Sequence, residues 1–185
     1  MKKCISLLLH NRVIVPDPIC ASEIYWTSFY GSLLGVEKPR SKSERAPLEL
    51  SLIEALYLLE KKLLNVYVQG GDGLTRLTPE QLYSIGLERV NRFRELYAVY
   101  KDLRERGFVV RRGLKFGCDY LVYRHGPGID HAPYGVQVYS EDESTDPIEI
   151  VRMGRLLHSV RKKLIIAVVD SESRINYLLF GWWKP

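Results

Sequence analysis

Residues 116–139, FGCDYLVYRHGPGIDHAPYGVQVY, divide into three parts. The apolar, aromatic run from Phe116 to Tyr123 reads as a β-strand, and Tyr134 to Tyr139 reads as the strand that returns. Between them Gly126, Pro127 and Gly128 punctuate a loop that carries His125 and His131. One loop therefore holds a phenol and two imidazoles, all of them proton-transfer groups. Further on, Arg161-Lys162-Lys163 opens another apolar strand. Tyr, His and Lys without an acidic cluster form a set that can cut RNA without a metal.

On the C-terminal side, an acidic loop (Glu141 to Glu143) precedes Asp146-Pro147, which starts a helix running to about Lys162. Leu164–Val169 and Ile175–Phe180 read as two strands joined at Asp170-Ser171-Glu172-Ser173. On the N-terminal side, Phe108–Arg112 reads as a strand. Before it, Val90, Phe93, Leu96, Tyr97, Tyr100 and Leu103 recur at helical spacing, so one long amphipathic helix is expected over Glu88–Arg106, stopped by Gly107.

The first half is lighter in chemistry. Ile5–Leu9 and Val13–Val15 predict a hairpin turned at His10-Asn11, and Ser22–Leu34 predicts a helix stopped by Gly35, with Trp26, Phe29 and Tyr30 in its core face. Ser51/Glu54 and Thr78/Gln81 are capping boxes, and Val66–Val68 is a short strand. Gly70-Gly71-Asp72-Gly73 lacks the Lys-Ser/Thr ending of a phosphate loop and reads as a turn. The second capped helix falters near Gly86, which sets the expected domains at 1–86 and 87–185. The fold class is α/β in the mixed α+β sense, with a small N-terminal α/β domain.

Val36–Pro47 differs from its surroundings. It has no apolar period and carries Lys38, Arg40, Lys42 and Arg45, so it reads as an exposed loop able to follow a phosphate backbone. The whole chain has 27 Lys+Arg against 22 Asp+Glu, a net +5, which permits a polyanionic partner without requiring one. The three cysteines (Cys4, Cys20, Cys118) are widely spaced, with no CxxC pair. They are expected to be free, buried side chains in a reducing cytoplasm. No apolar run approaches the ~20 residues of a membrane span, and no cleavage site follows the basic Met1-Lys2-Lys3, so no secretory leader is expected.

Around the helix from Pro147, Ile150, Met153, Leu157 and Val160 share one face, and Arg155, Ser159 and Lys162 share the opposite one. RNA supplies its own nucleophile in the 2′-OH. Cleavage then needs a base for the 2′ proton, an acid for the leaving 5′ oxygen and a cation for the phosphorane. An imidazole suits the acid and a lysine the cation. A tyrosine is a base only where cations lower its pKa.

KFGCDYLVYR, DHAPYGVQVY and RLLHSVRKKLIIAVVDSESRINYLLF, in that order, resemble the catalytic domain of archaeal tRNA-splicing endonucleases. The first half is similar, more loosely, to the N-terminal α/β domain of that family. The resemblance implies a C-terminal nuclease-like domain with a mixed central sheet flanked by helices. It implies Tyr123 as general base, His131 as general acid and Lys162 as transition-state cation, with His125 and Lys163 as lesser alternatives. It implies metal-free, cofactor-free cleavage of precursor tRNA at a bulge-helix-bulge, leaving a 2′,3′-cyclic phosphate and a 5′-OH.

Arg155 sits where the family pinches a bulge base. Arg174, Trp182 or Trp183 would be the second member. Asp170 and Glu172 would dock into a neighbouring unit, and Tyr177–Phe180 would pair across a dimer. The expected assembly is a two-plus-two heterotetramer with a structural partner subunit, with a homotetramer as the alternative. A non-catalytic subunit would keep the fold and lose the triad. A metal-dependent DNA nuclease would need acidic partners that Asp119 and Asp130 lack.

Overall fold

The computed structural model describes residues 4–71 and 73–182, and the chain divides into two compact units, Met1–Phe93 and Arg94–Pro185. The division falls later than Gly86, at the start of the second unit's first helix. The expectations placed on Met1-Lys2-Lys3, Asp72 and Trp183 lie outside the described residues.

The first unit runs β1 (Cys4–Leu9), β2 (Arg12–Val15), α1 (Pro18–Ser28), β3 (Ser32–Leu33), β4 (Leu48–Ser51), α2 (Leu52–Glu60), β5 (Leu64–Gly70), β6 (Gly73–Arg76) and α3 (Pro79–Arg89). Its described strands form one sheet in the order β3-β4-β2-β1-β5-β6, antiparallel except where β1 meets β5. His10 turns the first hairpin with φ 48. Both capping boxes form, so α2 and α3 start where their caps place them.

The expected Ser22–Leu34 helix is displaced. The Asp17 carboxylate caps it by accepting from the amides of Ile19 and Cys20 with Pro18 in the first turn, and Phe29 ends it in the left-handed conformation, well before Gly35. Gly86 is not a stop either. A Cβ there would lie 2.3 Å from the Phe93 ring, so the residue is glycine to admit that ring. The chain breaks instead at Val90-Asn91-Arg92, with Arg92 at φ 57, so the single helix expected over 88–106 is two.

Cys4 and Cys20 form a disulfide, contrary to the expectation of free thiols. Distance along the chain says nothing about distance in space. The hairpin brings β1 and α1 to a Cα–Cα separation of 5.8 Å, inside the bonding range. Cys118 alone matches the buried free thiol expected. Loop closure over a separation of 16 residues gives the cross-link ~3 kcal/mol. Cys20→Ser is therefore expected to lower Tm by several degrees in non-reducing calorimetry. An unchanged Tm would overturn this.

The second unit runs α4 (Phe93–Glu105), β7 (Val109–Arg112), a 3-10 turn (Leu114–Phe116), β8 (Tyr120–Tyr123), β9 (Tyr134–Ser140), α5 (Pro147–Ser159), β10 (Lys163–Val169) and β11 (Ile175–Phe180). Its described strands form a mixed sheet, β11-β10-β9-β8-β7, in which only β9 and β10 are parallel, joined through α5. The core gathers Cys118, Leu121, Ala132, Leu157, Leu164 and Ile166. Gly135 belongs to the same contact, since a Cβ there would meet Leu157 at 2.6 Å. The helix of 147–162 stops at Ser159, and Val160 is exposed rather than part of the core face. No helix of the described residues is long and apolar enough to cross a membrane.

Candidate active site

Strand register brings three segments of the quoted stretch and its sequel to one end of the second sheet. Tyr134, the first residue of β9, faces Val122 of β8 on one side and Lys163 of β10 on the other. Tyr123 is one step beyond Val122 and Lys162 one step before Lys163, so they stand two strand spacings apart, about 10 Å at the backbone. His131 lies just upstream of Tyr134 between them. The Lys163 amide donates to Pro133 O at 3.0 Å, which ties the His131 segment to the start of β10.

Each of the three has its own anchor. Tyr123 ends β8 half-buried, with its ring packed against the core cluster. His131 is exposed, but the next residue, Ala132, is buried in that core. Lys162 owes its place to the way α5 ends. Arg161 takes φ 58, and the Lys162 amide reaches back to Leu157 O at 2.8 Å, closing a Schellman-type terminus without glycine. The Lys162 ammonium then lies 5.3 Å from the centre of the Phe116 ring, a cation–π contact that holds it at the strand end.

The remaining predicted residues fall in three places. Arg155 is exposed on α5, and Trp182, beyond β11, packs against that helix. The Trp182 ring stands 3.8 Å from where a Gly154 Cβ would be and edge-on to His158 at 6.2 Å between centroids. Gly154, His158, Lys162, Lys163, Phe180 and Trp182 line a groove of about 560 Å³. Arg174 lies far from it, at the β10–β11 turn on the other end of the strand. Its guanidinium is held by Asp170 at 2.6 Å and Glu172 at 3.0 Å. That contact holds the Asp170 carboxyl below the usual carboxylate range. The Glu141 carboxylate accepts from the Ser171 amide at 2.6 Å and fixes the same loop.

Tyr177 gives its hydroxyl to Asp102 at 2.7 Å, and burial with that carboxylate drives its pKa strongly up. Leu178, Leu179 and Phe180 of the same edge strand are exposed. Lys38, Arg40, Lys42 and Arg45 belong to the first unit. All four are exposed on an irregular segment clipped to α1 by Ser22, whose hydroxyl donates toward Lys42 O and Glu44 O.

The two aspartates considered as metal ligands are otherwise engaged. Asp119 accepts from the Val138 amide at 2.8 Å, and Asp130 accepts from three successive backbone amides. Among the described residues, no three His, Cys, Asp or Glu side chains converge as a metal site would need. Sequence reasoning missed the anchors. Phe116 was read as a strand residue, and Asp130 only as a failed metal ligand. Their one signal was proximity, Asp130 adjoining His131 and Phe116 opening the motif that ends at Tyr123.

Comparison with known proteins agrees along the length of the chain. Residues 5–82 match the family described as tRNA intron endonuclease, N-terminal domain, and residues 93–177 the family described as tRNA intron endonuclease, catalytic C-terminal domain. A tRNA-splicing endonuclease of Hyperthermus butylicus is 47% identical over 181 residues, covering 97% of this chain and 98% of its own length. Its counterpart in Saccharolobus solfataricus is 43% identical with the same coverage. With both domains matched in order, this chain belongs to the tRNA intron endonuclease family and is an endonuclease.

Proposed function

We propose that the chain is the catalytic subunit of an enzyme that excises introns from precursor tRNA, cutting at the junctions of a bulge-helix-bulge without a metal ion. The observation that carries the reading is the convergence of Tyr123, His131 and Lys162 at one end of the β8-β9-β10 sheet, in a catalytic-domain match. Tyr123 takes the proton of the 2′-OH. The 2′ oxygen attacks the adjacent phosphorus, the bond to the 5′ oxygen breaks, and His131 protonates that oxygen as it leaves. Lys162 stabilises the negative charge on the non-bridging oxygens of the phosphorane. The products are a 2′,3′-cyclic phosphate and a 5′-OH, and no electrons change hands.

Trp182 lines the groove against Gly154, the residue before Arg155 on α5, which supports Arg155 and Trp182 as the pair that stacks on a bulge base. Arg174, committed to two carboxylates, takes no part in that pair. The basic 36–47 segment follows the RNA backbone. Asp170 and Glu172, on a loop already rigid through Arg174 and Glu141, dock into a neighbouring unit, and the open apolar edge of β11 pairs with another chain. The assembly is two-plus-two with a structural subunit, or a homotetramer, working in the cytoplasm on its RNA.

The test is cleavage of bulge-helix-bulge RNA in EDTA, with and without a candidate partner subunit. Full activity with cyclic-phosphate ends is expected. Loss of cutting on chelation, restored by added Mg²⁺, would overturn metal independence.

A further inference from the structure

We infer that Asp130 is a positioning residue of this reaction: its carboxylate clamps the loop between Tyr123 and His131 and so sets the distance between base and acid. The inference rests on the roles assigned to those two residues above. The geometry is local and complete. One oxygen accepts from the amides of Arg124 at 3.0 Å and His125 at 3.2 Å, and the other from Gly126 at 2.8 Å. These three donors follow Tyr123 directly, and Asp130 directly precedes His131. A single side chain thus ties the end of β8 to the approach of β9.

The loop needs such a clamp. Gly126 and Gly128 stand at φ 129 and 85, conformations that glycine adopts readily and holds weakly. Gly126 O in turn accepts from the amides of Ile129 and Asp130, both at 3.1 Å, so the clamp's own backbone is fixed. His131 is then gripped on both sides, by pinned Asp130 and by buried Ala132. The exposed imidazole has freedom only about its own side-chain bonds. Burial opposes the charge on Asp130. The amides of Gly126, His125 and Arg124, aided by the neighbouring His125 ring, outweigh it and hold the carboxyl below its ordinary range. The group is therefore ionised wherever the enzyme works. An ionised carboxylate accepting three hydrogen bonds has no proton to exchange with substrate, which is why its part is placement.

Asp130→Asn keeps the shape and replaces one oxygen with an amide donor that opposes the backbone N–H groups. Single-turnover cleavage by the assembled enzyme is expected to slow on the order of 10²-fold, the cost of ~1 Å of misplacement, with RNA Kd unchanged. In a His131→Ala background the same substitution should cost far less, because the group it positions is gone. A mere stabiliser would lower Tm and leave both rate ratios alone. Wild-type cleavage by Asp130→Asn, or a loss that multiplies in full with His131→Ala, would overturn the inference.

Amide hydrogen exchange in the unsubstituted protein tests the clamp without relying on any variant folding. Slow exchange at Arg124, His125 and Gly126 is expected, and fast exchange there would sink it. Wild-type cleavage by His131→Ala would instead overturn the acid assignment and leave the exchange result standing.

Discussion

Replacing His131 by Ala is expected to slow cleavage by 10²- to 10⁴-fold, the range for losing one positioned proton-transfer group, and to leave RNA affinity unchanged. Affinity should survive because the proposed RNA contacts belong to other residues and the imidazole is one exposed side chain. Ala132 and the Asp130 clamp keep the backbone in place, so the substitution removes a proton donor and little else. The decisive measurement changes the leaving group. In RNA with sulfur in place of the scissile 5′ oxygen, the departing thiolate needs no proton. His131→Ala should then cut almost as fast as the unsubstituted enzyme. Failure of that rescue would mean His131 is not the acid. His125→Ala is the control, and near-normal cutting is expected.

The elements that hold the site were legible wherever a local rule decides the structure. Apolar and aromatic runs marked β9, β10, β11 and the Tyr120–Tyr123 part of the strand expected over Phe116–Tyr123, whose start is instead a 3-10 turn ending at Phe116, and Asp146-Pro147 marked the start of α5, because strand patterning and helix capping act over a few residues. Their convergence was not legible from period or spacing. It comes from β9 serving as common neighbour to an antiparallel β8 and a parallel β10, a long-range pairing that no window of sequence contains.

Glycine misled for a related reason. Gly35 and Gly86 look like stops, yet Phe29, Arg92 and Arg161 take the left-handed turns, each a residue that sequence statistics assign elsewhere. Gly86 and Gly135 are glycine for the sake of Phe93, across the break between two helices, and Leu157, on a later helix. The Cys4–Cys20 bond was invisible for the same cause.

The site residues divide along the same line. Tyr123, His131 and Lys162 were singled out because their functional groups are rare in combination and because three motifs occur in order. Arg174 was suggested by its charge alone. Charge does not say where a guanidinium goes, and here Asp170, at the near end of the same turn, accepts from both the backbone and the side chain of Arg174. Trp182 gained from the structure what Arg174 lost, a place beside the helix turn that carries Arg155. The cation row read on the helix face differs in its geometry, since α5 ends at Ser159. Lys162 is beyond the helix, placed by the Arg161 turn and the Phe116 ring.

That placement gives Lys162→Ala its expected result, a 10²- to 10³-fold slower cleavage, comparable to deleting one electrostatic contact to a developing oxyanion. In the proposed reaction the lysine acts on the non-bridging oxygens. Its loss should therefore be as large on the 5′-sulfur substrate as on ordinary RNA, the opposite of His131→Ala. Rescue of Lys162→Ala by the sulfur leaving group would identify Lys162 as the acid and displace His131 from that role. Lys162→Arg should recover only part of the rate. Its charge is retained, but a planar fork cannot occupy the point position that an ammonium takes beside Phe116.

Lys163→Ala separates charge in general from charge in place. Lys163 is the exposed first residue of β10 and next in sequence to Lys162, and the ring contact with Phe116 is made by Lys162. Its backbone bond to Pro133 survives the substitution. A small change in rate is expected. A loss equal to that of Lys162→Ala would mean that the site reads a diffuse positive field instead of one ammonium held against an aromatic ring.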